Sequence, residues 1–193
     1  GIGFVVNIKG QKSHTIVQQG LQILENLSHR GAQGCDPCTG DGAGILLQVP
    51  HEFLKRAASD VGVALPNAGE YGVGMTFLPP QADARQQCEA LFSRIIGEEG
   101  ARLLGWRDVP VKSDAIGPVA RSTEPFMRQV FIARDILNEG QFERKLYVIR
   151  KRVETAVRES AIQGRDYFYI SSLSANTIVY KGLLLADQVG LYY

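Results

Sequence analysis

Residue types able to do chemistry gather in one stretch, Leu27–Gly44, reading LSHRGAQGCDPCTGDGAG. It holds His29, Arg30, Cys35, Asp36, Cys38 and Asp41, interleaved with five glycines. Arg30 has two physical readings. A guanidinium just past a helix can cap the carboxyl end and complement its dipole. It can also be a fixed cation for a carboxylate or an amide oxygen. Asp41 is either a ligand group or a turn former. Cys35-Asp36-Pro37-Cys38 is a CxxC, but zinc wants four protein ligands, or three and an open position. Only His29 is near, and no second CxxC exists. A redox CxxC opens a helix after a strand; this one follows a helix and precedes a strand. Two small loop residues that happen to be cysteine is the simpler reading. Gly40-Asp41-Gly42-Ala43-Gly44 lacks the helix N-terminus that a phosphate cradle needs. The glycines therefore either pack a strand entry tightly against a neighbour or shape a site.

Outside this stretch the candidates thin out. Ser171, Ser172 and Ser174 lie in a β-rich run without G-x-S-x-G and read as structural hydroxyls. His14, His29 and His51 show no triad spacing with a serine or cysteine. Lys145, Arg150, Lys151, Arg152 and Arg158 share a helix with Glu143, Glu154 and Glu159, behind the apolar stripe Phe142, Leu146, Ile149, Val153 and Val157. Mixed charge of this kind predicts a solvated face.

The elements that must position the stretch follow from periodicity. Ile2–Ile8 predicts a strand. Ser13 predicts an N-cap, followed by an amphipathic helix from His14 to Leu27. Beyond the glycines come the strand Ile45–Val49 and a helix from Pro50 to about Arg56. Gly72–Leu78 is a strand, Asp83–Gly97 a helix, Leu103–Val109 a strand and Gln129–Ala133 a short strand. Gln141–Ser160 is a long helix. Phe168–Ser172 and Thr177–Lys181 predict a hairpin around Ser174-Ala175-Asn176, and Leu183–Gln188 begins a further helix. The order implies mixed α/β layering of helices on sheets, with one domain, incomplete, over 1–193.

Composition sets the outer bounds. At 193 residues, 45% hydrophobic and 21% charged, the chain can bury a sizeable core. A net charge of +1 with dispersed basic residues argues against nucleic acid. No apolar run approaches the roughly 18 residues of a membrane span. Three cysteines, an odd count, argue against a disulfide framework and for a reducing cytoplasm. Gly1-Ile2-Gly3 runs straight into apolar sequence and Leu191-Tyr192-Tyr193 ends in mid-pattern, so both ends read as the middle of something longer.

Several blocks together resemble glutamate synthase large subunits. These are Gly1-Ile2-Gly3-Phe4-Val5, His29-Arg30-Gly31-Ala32, Gly40-Asp41-Gly42-Ala43-Gly44-Ile45-Leu46, Gly105-Trp106-Arg107-Asp108-Val109-Pro110, Leu146–Arg152, Phe168–Ser174 and Val179–Gly182. The short motifs alone resemble class II glutamine amidotransferases in general; the later blocks single out glutamate synthase. The resemblance implies an α+β fold, the four-layer αββα N-terminal-nucleophile sandwich, of which 1–193 is the front portion. It also implies a glutaminase whose N-terminal cysteine attacks the glutamine side-chain amide, with its own α-amino group as base. Ammonia then passes to a second site that converts 2-oxoglutarate to glutamate with electrons carried by FMN and an iron–sulfur cluster. The implied partners are L-glutamine, the remainder of the large subunit and a small electron-transfer subunit, with no nucleic acid and no membrane. The electron donor is left open.

By the resemblance, the cysteine stands immediately before Gly1, and none of Cys35, Cys38 and Cys88 replaces it. The family's substrate-carboxylate arginine, Asn-Gly oxyanion pair and substrate-amine aspartate find no match up to Tyr193. Arg30 and Gly31 match the loop against the nucleophile; Asp41 and Gly42 match the loop beside it. The chain thus carries an active-site wall of Arg30, Gly31, Asp41 and Gly42, no catalytic residue and no metal ligand, and is expected to be inactive alone. The resemblance further places Gly1–Ile8 as a buried strand pointing toward Arg30. Two alternatives stand beside this reading: another class II amidotransferase, and a non-catalytic α/β module used for binding or assembly.

Overall fold

The computed structural model describes residues 1–31 and 36–193. The described residues are α+β, and the chain divides into two compact units. The first comprises Gly1–Leu47, Pro110–Glu124 and Val179–Tyr193; the second comprises Gln48–Val109 and Pro125–Ile178.

In the second unit a four-stranded antiparallel sheet is built around β2 (Tyr71–Leu78). Its order is β3-β4-β2-β5, with β3 at Arg102–Asp108, β4 at Phe126–Ala133 and β5 at Tyr169–Ser174. β2 is buried on both faces along nearly its whole length, which is why it reads as one continuous apolar run. Its register against β4 runs without a break from Tyr71↔Ala133 to Leu78↔Phe126. β3 slips against β4 between Leu103 and Gly105, and Gly105 there takes φ +154° over Val63. A bulge with glycine at a positive φ relieves such a slip at little cost.

One face of this sheet carries the core. Helices α3 (Ala82–Glu98) and α5 (Glu139–Glu159) contribute Cys88, Phe92, Ile95, Ile96, Phe142, Leu146, Ile149 and Val153. These meet Leu78, Val130, Ile132, Ile170 and Leu173 from the strands. Approach is closest at Gly72, where a Cβ would fall 2.5 Å from Leu146 Cδ1. Asn138 starts α5 with a capping box: its side chain accepts from Gln141 N at 2.9 Å while Gln141 Oε1 accepts from Asn138 N at 3.1 Å. The charged side of α5 is not simply a solvated face. Arg152 bonds Glu99 at 2.7 Å and Glu98 at 2.5 Å, Lys145 bonds Glu99 at 3.0 Å, and Arg150 donates to the Ile170 carbonyl at 2.6 Å. These pairs hold the Glu99 carboxyl below its ordinary range, the Arg152 bond contributing most.

The other sheet has two strands, β1 (Ala43–Gln48) and β6 (Thr177–Gly182). The expected hairpin of Phe168–Ser172 with Thr177–Lys181 therefore does not form: β5 pairs with β2, and β6 with β1. The link between them explains the divergence. Glu143 on α5 accepts from Ser174 Oγ at 3.0 Å and from Ala175 N at 2.7 Å. Ser174 Oγ in turn accepts from Asn176 N at 3.0 Å. The link is thus held against α5, and the strands on either side of it join different sheets.

Two further expectations change. Gly1–Ile8 is not a strand and is not buried: Ile2, Phe4 and Ile8 are 98%, 86% and 99% exposed. Among the described residues no strand lies beside it to accept its backbone bonds, and a strand needs a ladder partner. Leu183–Gln188 is turn rather than helix, because Gln188 Oε1 takes the Leu185 N–H at 2.8 Å; helix α6 follows at Val189–Tyr192. The remaining helices are α1 (His14–Asn26), α2 (His51–Ser59) and α4 (Pro118–Ser122). Ser13 precedes α1 as expected but makes no side-chain cap bond.

Candidate functional site

The candidate site begins where α1 stops. Leu27 N closes the helix on the Ile23 and Leu24 carbonyls, and a 3-10 turn, Ser28–Arg30, follows. His29 Nδ1 lies 3.1 Å from the Asn26 carbonyl. The histidine thus satisfies the helix end, and Arg30 does not. The Arg30 guanidinium is exposed, with no hydrogen bond or ion pair to another described residue. That geometry weakens the capping interpretation.

The chain start sits on this turn. A Cβ on Gly1 would lie 3.3 Å from both Leu27 methyls and 3.5 Å from Arg30 Cβ. A Cβ on Gly3 would overlap Ile23 Cγ2 at 2.3 Å. Glycines at alternate positions let residues 1–3 lie flush on α1. Gly1 is therefore adjacent to Arg30, far inside the 15 Å or so, about five extended residues, that the resemblance allows.

Past Gly31 the chain has Ala32 and Cys35 outside the described residues, so the CxxC is described only at Cys38, an exposed free thiol. Among the described residues no group of three histidine, cysteine or acidic side chains is arranged to hold a metal. Residues 36–40 form a knot. The Asp36 carboxylate accepts from Cys38 N at 2.9 Å and from Thr39 Oγ1 at 2.5 Å. These bonds, Thr39 foremost, hold its carboxyl below the usual range despite partial burial, and the Val119 N–H adds to them. The Cys38 carbonyl accepts from Gly117 N at 3.1 Å and from Gln188 Nε2 at 2.7 Å. At Gly40 a Cβ would fall 2.0 Å from the Leu184 carbonyl carbon and oxygen.

Asp41 and Gly42 follow directly. Asp41 is exposed, and Gly42 takes φ +136°, a conformation that disfavours side chains. A Cβ on Gly44 would fall 2.6 Å from the Tyr180 carbonyl of β6. Gly40 and Gly44 thus belong to the tight-packing interpretation of the glycines, whereas Gly42 and Asp41 remain open to solvent.

Known proteins decide the family. Across residues 1–193 the chain matches the family described as Glutamine amidotransferases class-II. The chain belongs to that family. It is 47% identical to the glutamate synthase [NADPH] large chain of Bacillus subtilis, over 100% of this chain and 12% of that protein. It is 38% identical to the glutamate synthase [NADH] of Schizosaccharomyces pombe, over 100% of this chain and 9% of that protein. It is also 38% identical to the chloroplastic ferredoxin-dependent glutamate synthase 2 of Arabidopsis thaliana, over 100% of this chain and 12% of that protein. The chain therefore spans a small part of the length of these relatives.

The bonds that shape this part of the amidotransferase differ in how far the sequence shows them. Asp36-Pro37 with Thr39 is a turn-forming pattern, and that signal was available. Gln188 had none: its bond to Cys38 joins positions 150 residues apart. The serines proposed as structural hydroxyls include Ser174, which does serve a turn. His51 lies 3.2 Å from the Tyr71 hydroxyl, whose pKa is pushed up to about 12 by burial and the nearby Glu52 charge. Among the described residues no helix is long and apolar enough to cross a membrane.

Proposed function

We propose that this chain is the front portion of the glutaminase domain of a glutamate synthase large subunit, a four-layer αββα sandwich when complete. The observation that carries the reading is Gly1 resting against Arg30. A residue immediately before Gly1 would enter beside the turn that carries Arg30, whose Cβ lies next to Gly1. A cysteine there attacks the side-chain amide carbon of glutamine through sulfur, and its α-amino group accepts the thiol proton. The C–N bond breaks, ammonia leaves with the added proton, and a glutamyl thioester remains. Water hydrolyses the thioester to glutamate and frees the thiol.

In this reading Arg30, Gly31, Asp41 and Gly42 wall the site. Ammonia goes on to a second centre in the rest of the subunit, where 2-oxoglutarate becomes glutamate with FMN and an iron–sulfur cluster supplying electrons. The described residues of this chain do not fit the cluster. Among the described residues no group of three histidine, cysteine or acidic side chains is arranged to hold iron, and Cys88 lies within α3, buried in the core. In this reading FMN and the cluster are held by the remainder of the protein, as is any contact with a small electron-transfer subunit. The reading also places the protein in the cytoplasm, with L-glutamine as substrate and neither nucleic acid nor membrane as partner.

The test compares glutamine hydrolysis by the intact polypeptide with that by the 193-residue chain. The intact protein should release glutamate and ammonia. The chain alone should release neither, since it lacks the nucleophile, and losing even one oxyanion donor costs roughly a hundred- to a thousandfold. Hydrolysis by the isolated chain, or none by the intact protein, would contradict the proposal.

A further inference from the structure

Gln188 is buried, uncharged and bonded at both ends of its amide. Its Oε1 closes a local turn on Leu185 N at 2.8 Å, while its Nε2 reaches the Cys38 carbonyl at 2.7 Å. The two bonds do different things. The first shapes the 185–188 turn, and the second fastens the limb at 36–40 to that turn. The limb is also tied to Gly117 N through the same carbonyl and presses Gly40 on the Leu184 peptide. Directly after Gly40 come Asp41 and Gly42, both exposed. Their position therefore depends on the knot behind them.

We propose that Gln188 is a positioning residue of the amidotransferase site, fixing Asp41 and Gly42 through its bond to the Cys38 carbonyl. The inference rests on the proposed function, in which those two residues wall the glutamine pocket. Gln188 touches no substrate. It removes the freedom of the limb, so that Asp41 does not have to be ordered when glutamine binds.

The experiment uses the intact polypeptide, with Gln188→Glu and Gln188→Met measured beside the wild type. Glutamate keeps the length and the acceptor for Leu185 N but loses the donor to Cys38. Methionine keeps the volume and loses both bonds. Both variants should raise KM for glutamine about tenfold, the worth of one hydrogen bond, with kcat within about twofold. Amide exchange across 36–42 should quicken in both, while the four-stranded sheet stays protected. A fall in kcat at unchanged KM would mean only a smaller folded fraction and would overturn the proposal, as would unchanged KM with unchanged exchange. A wild-type protein without glutaminase activity would sink the functional reading, and this site role with it. The exchange data would then still report whether Gln188 holds the limb.

Discussion

Arg30 shows how a single residue can be ambiguous in sequence and how its neighbours bear on the alternatives. Its position after α1 suits a helix cap, but His29 occupies the helix-end carbonyl and leaves the guanidinium unpaired among the described residues. Replacing Arg30 with alanine should change stability by less than about 0.5 kcal/mol, as for an exposed side chain without partners. Glutamine hydrolysis by the intact protein should nevertheless fall, which thermal unfolding and an activity assay on one sample would show. Asp36 is the opposite case. Its carboxyl is held below the ordinary range by Thr39 first, then by backbone N–H groups. A lowered folded-state pKa stabilises fully above the ordinary carboxylate value, about 3.9, and the benefit is lost as pH falls through the folded value. Amide exchange at 36–40 should thus be slower in the wild type than in Asp36→Asn near pH 7. The ratio between them should shrink as the pH drops below about 4. The Asp-Pro turn signal was visible in the sequence; its convergence with Gly117 and Gln188 was not, since contacts between distant segments leave no local pattern.

At the level of elements, periodicity was read well where one face of an element meets a core. Helices α3 and α5 carry apolar stripes that match their buried residues, and β2 and β4 are apolar because they are internal strands. Leu146 sits wholly buried over Gly72. Leu146→Ala should cost about 2–5 kcal/mol, transfer plus cavity, measured as a loss of the denaturation midpoint of the second unit. Pairing was not legible. β5 and β6 have hairpin spacing, but the Glu143 carboxylate captures their link and β6 joins β1 instead. The stretch at 2–8 failed for a related reason. Its alternation is strand-like, with Gly1 and Gly3 on α1 and Ile2, Phe4 and Ile8 outward. Alternation specifies which face a residue takes but cannot supply the neighbouring strand.

For the whole molecule, family membership follows from similarity along the full chain, and the α+β character from the two sheets. The relatives are far longer than this chain, and the proposed function has the chemistry completed by residues outside 1–193. The central proposal is that a cysteine nucleophile stands beside the Arg30 turn, at the position preceding Gly1. The most direct measurement treats the intact polypeptide with a glutamine-analogue electrophile and maps the adduct by peptide mass spectrometry. The account predicts a single adduct, on a cysteine immediately preceding Gly1 and blocked by excess glutamine. An adduct on Cys38 or Cys88 instead, or no adduct in a protein that hydrolyses glutamine, would contradict it.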